Sequence, residues 1–366
     1  MNKPLSLFLN SRDNNFNLIR FVAATMVLFS HCFPLLFGSS ETEPLKQLVG
    51  ISFGEIAVDI FFISSGFLIA NSLFSKNDLI GFIWSRILRI YPGLITALLI
   101  CVFVLGAYFT TYPIGRYLTD PQTYIFFMKN AFLFLGEEAN LPGVFESLPW
   151  RNTVNGSLWT LPFEVRAYFF LVIVSIILSH INIIVKWFDF QKTIYLLAPL
   201  FGVFIYIMDH FYKFLPISYL ASEDFRLYSM FFIGVASCKI KDSFILSNRL
   251  FYMALLLLVV STFNSDVFFI TYNCLIFYIV FYLAYMPRGS IRKFNQLGDY
   301  SYGIYIYAWP IQQSIVALLP GISIVELCIY SLILTLIFSY CSWHIIEKRA
   351  LKLKGALSFK LVKAET

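Results

Sequence analysis

Charge is scarce in this chain of 366 residues. Asp, Glu, Lys and Arg together make up 13% of it, against about a quarter in an ordinary soluble domain. Histidine is scarcer still, at four residues, and none alternates with cysteine at metal-ligand spacing. The six cysteines form no C-x-x-C pair. All fall within or near apolar runs and read as free, buried thiols. No basic stretch is interleaved with exposed aromatics, so nothing resembles a nucleic-acid platform. The first apolar run is not followed by an A-x-A cleavage site and reads as a retained anchor. These absences exclude a metal centre, a disulfide scaffold, a nucleic-acid binder and an ordinary cytosolic enzyme.

What is present in excess is apolar surface. Hydrophobic residues reach 59% and aromatic residues 19%, including 41 phenylalanines. That much apolar surface cannot be hidden inside one globule of this size, so the solvent is lipid. A transmembrane helix needs about 20 mostly apolar residues. Ten stretches qualify, near 16–37, 51–73, 87–110, 157–180, 193–209, 226–238, 249–264, 267–286, 300–319 and 322–345. The expected fold class is therefore all-α, a polytopic membrane protein with about ten transmembrane helices. Most of the 27 lysines and arginines fall in alternate loops and at both ends. By the positive-inside rule both termini are then cytoplasmic. On the opposite side lie Lys46, Arg116, Lys129, Arg151, Lys213 and Arg226. The chain reads as one transmembrane domain over 1–366, with a basic cytoplasmic tail over 346–366 and no fused soluble domain. Residues 111–156 form a long extracytoplasmic segment rich in Tyr, Phe and Trp, with a short interfacial helix expected over 122–135. Sugars pack well on aromatic faces, so this segment reads either as an aromatic belt or as an acceptor surface that includes Trp150.

Ionisable groups inside spans cost roughly 2.5–3.5 kcal/mol each on insertion scales and mark functional candidates. His31 in the first span, Asp59 in the second and Glu164 in the fourth lie roughly 9, 12 and 10 Å below the outer surface at about 1.5 Å per residue. A carboxylate holding one imidazole nitrogen fixes its tautomer and leaves the other as a base. Arg20 and His31 are eleven residues apart, close to three helical turns, so they share a face and are separated by roughly 16 Å. Arg86 and Arg89 form R-x-x-R at the expected cytoplasmic start of the third span, where guanidiniums at i and i+3 can converge on one polyanion. Gly66 shares a face with Asp59, and Pro162 is expected to kink the fourth span beside Glu164.

These segments resemble the acyltransferase 3 family of polytopic membrane acyltransferases. The matching stretches are N-L-I-R-F-V-A-A-T-M-V-L-F-S-H (17–31), with Arg and His eleven apart, A-V-D-I-F-F-I-S-S-G-F-L-I (57–69), R-I-L-R (86–89), G-S-L-W-T-L-P-F-E (156–164), L-G-D-Y-S-Y-G-I-Y (297–305) and W-H-I-I-E-K-R (343–349). They occur in family order and cover nearly the whole chain. Many members carry a histidine after the S-Y-x-x-Y stretch, where this chain has Ala308-Trp309-Pro310. His31 is then the one catalytic imidazole in the core.

The resemblance implies an acyl-CoA donor, usually acetyl-CoA, with no metal. The acceptor it implies is a hydroxyl of an extracytoplasmic glycan or lipid-linked sugar, such as lipopolysaccharide O-antigen. It implies a location in the bacterial inner membrane. His31, Glu164 and Asp59 are the expected catalytic residues. Arg20, Arg86 and Arg89 are expected to hold the donor phosphates. Ser157 and Trp159 of the G-S-L-W stretch and Trp150 are expected to meet the substrate. Direct base catalysis and an acyl-His intermediate both stand open. The alternatives are a multi-pass transporter and an acyltransferase acting on a small or lipid-like acceptor.

Overall fold

The computed structural model describes residues 2–9, 13–75, 78–185, 187–213 and 219–356. Arg12, Lys76 and Lys186 of the expected cytoplasmic charge, and the tail from 357 onward, lie outside them. The fold is that of an all-α polytopic membrane protein. In chain order the helices are α1 (Phe16–Phe37), α2 (Pro44–Val49), α3 (Phe53–Ser75), α4 (Leu79–Leu99), α5 (Ala107–Phe109), α6 (Ile114–Thr119), α7 (Pro121–Ala131) and α8 (Leu161–Ile184). Then come α9 (Phe190–Tyr212), α10 (Tyr219–Lys239), α11 (Asn248–Ser261), α12 (Ser265–Tyr285), α13 (Ser301–Leu318), α14 (Ile324–Ser342) and α15 (Lys348–Leu351). Among the described residues seven helices are long and apolar enough to cross a membrane. The remaining three expected spans fall on α10, α11 and α13, which are helical but shorter or more polar. α11 has 14 residues, about 21 Å of rise against roughly 30 Å of hydrocarbon. Large apolar side chains are exposed along α9 (Leu200, Phe204) and α11 (Leu256, Val259), as expected of lipid-facing positions.

The chain divides into two compact units. The first comprises 1–23, 44–75 and 166–297. Within it the strands Asn2–Pro4 (β1) and Ile245–Ser247 (β2) pair antiparallel. The backbone N–H groups of Leu5 and Ser6 donate to the carbonyls of Phe244 and Lys241, and that of Asn15 to Ala284. Arg292 reaches the carbonyls of Asp13 and Tyr285. The N-terminal segment, the α10–α11 turn and the end of α12 therefore meet at one end of the unit, and all three were read from charge as one side of the membrane. Close packing at the centre of the unit comes from glycine. A Cβ at Gly66 in α3 would lie 2.0 Å from the Phe231 carbonyl oxygen of α10, and one at Gly234 would lie 2.3 Å from that of Ile63. Small residues facing one another let two backbones approach in this way. Gly66→Ala is therefore expected to destabilise the protein by about 1–3 kcal/mol through overpacking. An unchanged unfolding temperature in detergent would count against it.

The second unit comprises 24–43, 76–165 and 298–366. Here α4 runs into a π-helical stretch, Ile100–Gly106, before α5. Its cause is visible. The Tyr117 hydroxyl from α6 donates to the Val102 carbonyl at 2.8 Å and occupies the space where Gly106 lacks a Cβ. A side chain inserted into the helical ladder widens it. Burial raises the Tyr117 hydroxyl pKa above its ordinary value. The aromatic segment 111–156 thus packs onto α4 through Tyr117 and Phe126, both fully buried. The helix expected over 122–135 is α7, ending at Ala131.

Three expectations are corrected. Pro162 stands in the first turn of α8 and does not kink it, since a first-turn N–H has no helical partner to lose. α4 begins at Leu79, capped by the Asp78 side chain on Gly81 N–H, so Arg86 and Arg89 lie inside a helix and not at its start. Three of the six cysteines, Cys32, Cys101 and Cys238, are buried, whereas Cys274 and Cys341 are exposed and Cys328 is intermediate.

Candidate active site

His31 lies in α1 within the second unit, one turn before Pro34 and seven residues before Gly38, where a left-handed φ of 76° ends the helix. Its imidazole stands edge-on to the indole of Trp309 in α13, with ring centroids 4.7 Å apart at 77°. The imidazole Nδ1 is buried and has no hydrogen-bond partner. A buried polar atom left unpaired costs about 1–3 kcal/mol, so such an atom in a native core calls for a functional reason.

The frame around His31 is well determined. Ser30 donates to Glu43 at 2.6 Å, and both are buried. On the neighbouring residue, the Gln312 amide nitrogen donates to the Leu28 carbonyl at 2.8 Å and to Cys32 Sγ at 3.0 Å. Trp309 is held in turn. Its indole N–H donates to the Thr153 carbonyl at 3.2 Å, and Trp150 meets it edge-on at 6.1 Å. Gly156 lies directly against it, since a Cβ there would come within 2.8 Å of the indole. Gln313 bonds the Trp150 and Thr153 carbonyls. Asn155 bonds the Ile306 carbonyl and also accepts from Ser157 N–H, and Thr160 pairs with Tyr305 at 2.6 Å. The 150–160 segment is thereby pinned along α13. Ser157 is fully buried, and its hydroxyl has no partner. Trp159 is partly exposed and edge-on to Phe163.

Glu164 stands in the first turn of α8, where a carboxylate is favoured by the helix dipole. It contributes to the field at Arg89, Tyr302 and Tyr305. Arg89 itself is committed. It meets Asp299 at 2.5 Å and Glu347 at 3.6 Å, and its guanidinium lies over the rings of Tyr302 and Trp343. Tyr302 bonds the Ile90 carbonyl and lies against Gly93. Arg86 meets the Ser85 hydroxyl at 3.3 Å and the Phe82 ring at 6.0 Å. The R-x-x-R pair thus divides. Arg89 is an ion-paired strut, and Arg86 stands one turn earlier on the same helix. Arg89→Leu leaves Asp299 and Glu347 without their cation. It is expected to destabilise the protein by about 3–5 kcal/mol, as breaking a buried pair does. Arg86→Leu is expected to raise the KM for acyl donor. The opposite split between KM and stability would exchange the two roles.

Asp59, expected near His31, lies in the first unit with both carboxylate oxygens occupied. Oδ1 accepts from Arg226 at 2.7 Å and Oδ2 from the Tyr272 hydroxyl at 2.8 Å. Arg226 also pairs with Glu223 one turn away in α10. Arg226, expected at the start of a span, is thus a buried, ion-paired residue of α10. Arg20, also in the first unit, has its guanidinium 5.7 Å from the Phe61 ring centroid. Among the described residues no cluster of His, Cys, Asp and Glu could hold a metal ion.

Residues 13–344 match the family described as an acyltransferase domain. The chain belongs to the acyltransferase 3 family. It is 28% identical over 346 residues to a protein named O-acetyl transferase from Shigella phage Sf6, covering 93% of this chain and 96% of that one. It is 26% identical over 374 residues to Nodulation protein 10 of Rhizobium leguminosarum bv. viciae, covering 94% and 95%. No solved structure matches it significantly. This acyltransferase 3 protein is thus a multi-pass membrane acyltransferase, which favours the enzyme reading over the transporter.

Sequence reasoning missed several residues around His31. Trp309 was noted only for not being histidine. Asn155, Gln312, Gln313 and the Ser30–Glu43 pair were not singled out. Two adjacent glutamines in an apolar helix were the available signal for α13, because buried amides need carbonyl partners. Nothing local marks Glu43.

Proposed function

We propose that this protein is an O-acyltransferase that moves an acyl group, in the first instance acetyl, from cytoplasmic acyl-CoA to a hydroxyl of an extracytoplasmic glycan in the bacterial inner membrane. The observation that carries the reading is the His31 imidazole, braced by Trp309, with a buried nitrogen that nothing in the fold uses. The relative named O-acetyl transferase, aligned over nearly its whole length, supports acetyl as the group.

His31 accepts the proton of the acceptor hydroxyl. The hydroxyl oxygen attacks the thioester carbonyl carbon, the carbon–sulfur bond breaks, and the leaving thiolate takes the proton back from the imidazolium. Glu164 is the carboxylate proposed to act with it, since Asp59 is engaged by Arg226 and Tyr272. Arg86 holds the donor phosphates, and Arg20 is the arginine that the family motif pairs with His31. The roughly 16 Å helical spacing from Arg20 to His31 suits an extended donor arm, and Ser157, Trp159 and Trp150 meet the acceptor. Arg89 serves this site by fixing α4 against Asp299 and Glu347.

The test compares surface polysaccharide from cells lacking the gene with that from cells complemented by the wild-type gene, reading the O-acetyl signal by proton NMR. A signal restored by the gene supports O-acetyl transfer to a glycan. Its absence, with an acyl product on a lipid or small molecule, moves the acceptor. Thermal protection of the purified protein by acetyl-CoA tests the donor separately, and no protection would remove it.

A further inference from the structure

The first unit holds a cavity that the proposed chemistry does not use. Its volume is about 420 Å³, within the roughly 300–1,000 Å³ of small-molecule sites, and its lining comes from the start of α3, the end of α9, the start of α10 and the first turns of α12. This is the end of the unit opposite the β1–β2 pair, because α10 runs from it toward Lys239 and β2.

Charge in the lining is close to balanced. Lys46, Lys213 and Arg226 face Glu55, Asp59, Asp209 and Glu223. Arg226 is already held by Asp59 and Glu223, and Glu55 accepts from Ser52 N–H at 2.6 Å. The lining therefore carries little net charge of either sign. One wall is aromatic: Phe269 is stacked on His210 at 3.9 Å and 14°, with Tyr206 at 5.2 Å. The deciding atom is on Asn273. This residue is 2% exposed, lines the cavity, and spends its amide nitrogen on the Phe269 carbonyl. Its Oδ1 is buried and has no partner. An unpaired buried acceptor beside an aromatic wall asks for a neutral ligand that donates hydrogen bonds and has an apolar face. A sugar ring has both.

We infer that this cavity, built around Asn273 and the Phe269–His210 stack, is a binding site for a neutral saccharide unit. The assignment rests on the reading of the acceptor as a glycan.

The full-length protein in detergent is titrated with methyl glycosides of neutral hexoses and 6-deoxyhexoses, and with glucuronate and glucosamine as charged counterparts, with no acyl donor present. Saturation-transfer difference NMR and thermal unfolding are the readouts. Neutral glycosides are expected to bind at least tenfold more tightly than either charged sugar, and Asn273→Leu is expected to weaken them at least tenfold. Absence of neutral-sugar binding, equal or tighter binding of the charged sugars, or unchanged binding in Asn273→Leu would overturn the inference. Should Asn273→Leu fail to fold, a diazirine-bearing neutral glycoside is photo-crosslinked to the wild type. Labelling of α12, α9 or the start of α3 supports the site, and labelling elsewhere overturns it. Because no donor is present, the two readings fail separately. Saccharide binding without acetyl transfer keeps the cavity and removes the enzyme mechanism, whereas transfer without saccharide binding does the reverse.

Discussion

Replacing His31 by alanine is expected to lower acyl transfer by about 10²–10⁴-fold, the usual contribution of a positioned general base, while the protein still folds. The stability half of this expectation follows from geometry. The buried imidazole Nδ1 has no partner to orphan, and the ring meets the Trp309 indole edge-on rather than through a hydrogen bond. His31→Gln keeps most of the volume and a polar end but has no basic nitrogen, so it is expected to be as inactive as His31→Ala. Added imidazole restoring part of the rate in His31→Ala alone would identify the missing group as a base. Full activity in both variants would remove His31 from the reaction, whether it acts as base or as acyl carrier. A loss of activity matched by loss of the folded protein would make His31 a packing residue.

The second large effect is expected at Arg226, and it falls on stability. Arg226 is 3% exposed and sits between Asp59 and Glu223, whose side chains are 1% and 7% exposed. Arg226→Leu leaves two buried carboxylates facing each other without a cation. Breaking one buried pair from one side costs about 3–5 kcal/mol. With two carboxylates orphaned, the upper end of that range is expected, and the protein should fail to accumulate in membranes. The double variant Arg226→Leu/Asp59→Asn removes one of the two unpaired charges and is expected to recover part of the loss. Its folded yield relative to Arg226→Leu is the measurement. A double variant no better than the single one would show that Arg226 acts through some contact other than Asp59.

The same cluster shows how sequence reasoning missed a pairing. Asp59 was correctly singled out as an expensive charge in an apolar span, but its partner was not found. Arg226 stands at a sequence distance of 167 residues, at the first position of the expected span 226–238. Weighed only for the side of the membrane it marked, it was not considered as a partner for Asp59. Only the packing of α10 on α3, through Gly66 and Gly234, brings the two together. The partners of Arg89 were missed in a related way. Its spacing from Arg86 pointed to one polyanion site, yet Asp299 and Glu347 come from segments 210 residues or more away in sequence. Around His31 the tertiary contacts supplied the bracing by Trp309, Gln312 and Gln313 that no local motif marks.

Composition and periodicity by themselves determined that this protein lives in lipid, that it is all-α, where most of its helices run, and that its few buried charges matter. Those properties depend on transfer free energies summed over twenty-residue windows, and such sums are local. The ordered motifs identified the family. The partner of each buried charge was decided by the tertiary structure alone. So were the start of α8 at Leu161, the widened turn of α4 under Tyr117, and the indole against His31. Each of these depends on one side chain meeting another from a distant segment, and helical packing sets that meeting to within an ångström that no local pattern encodes.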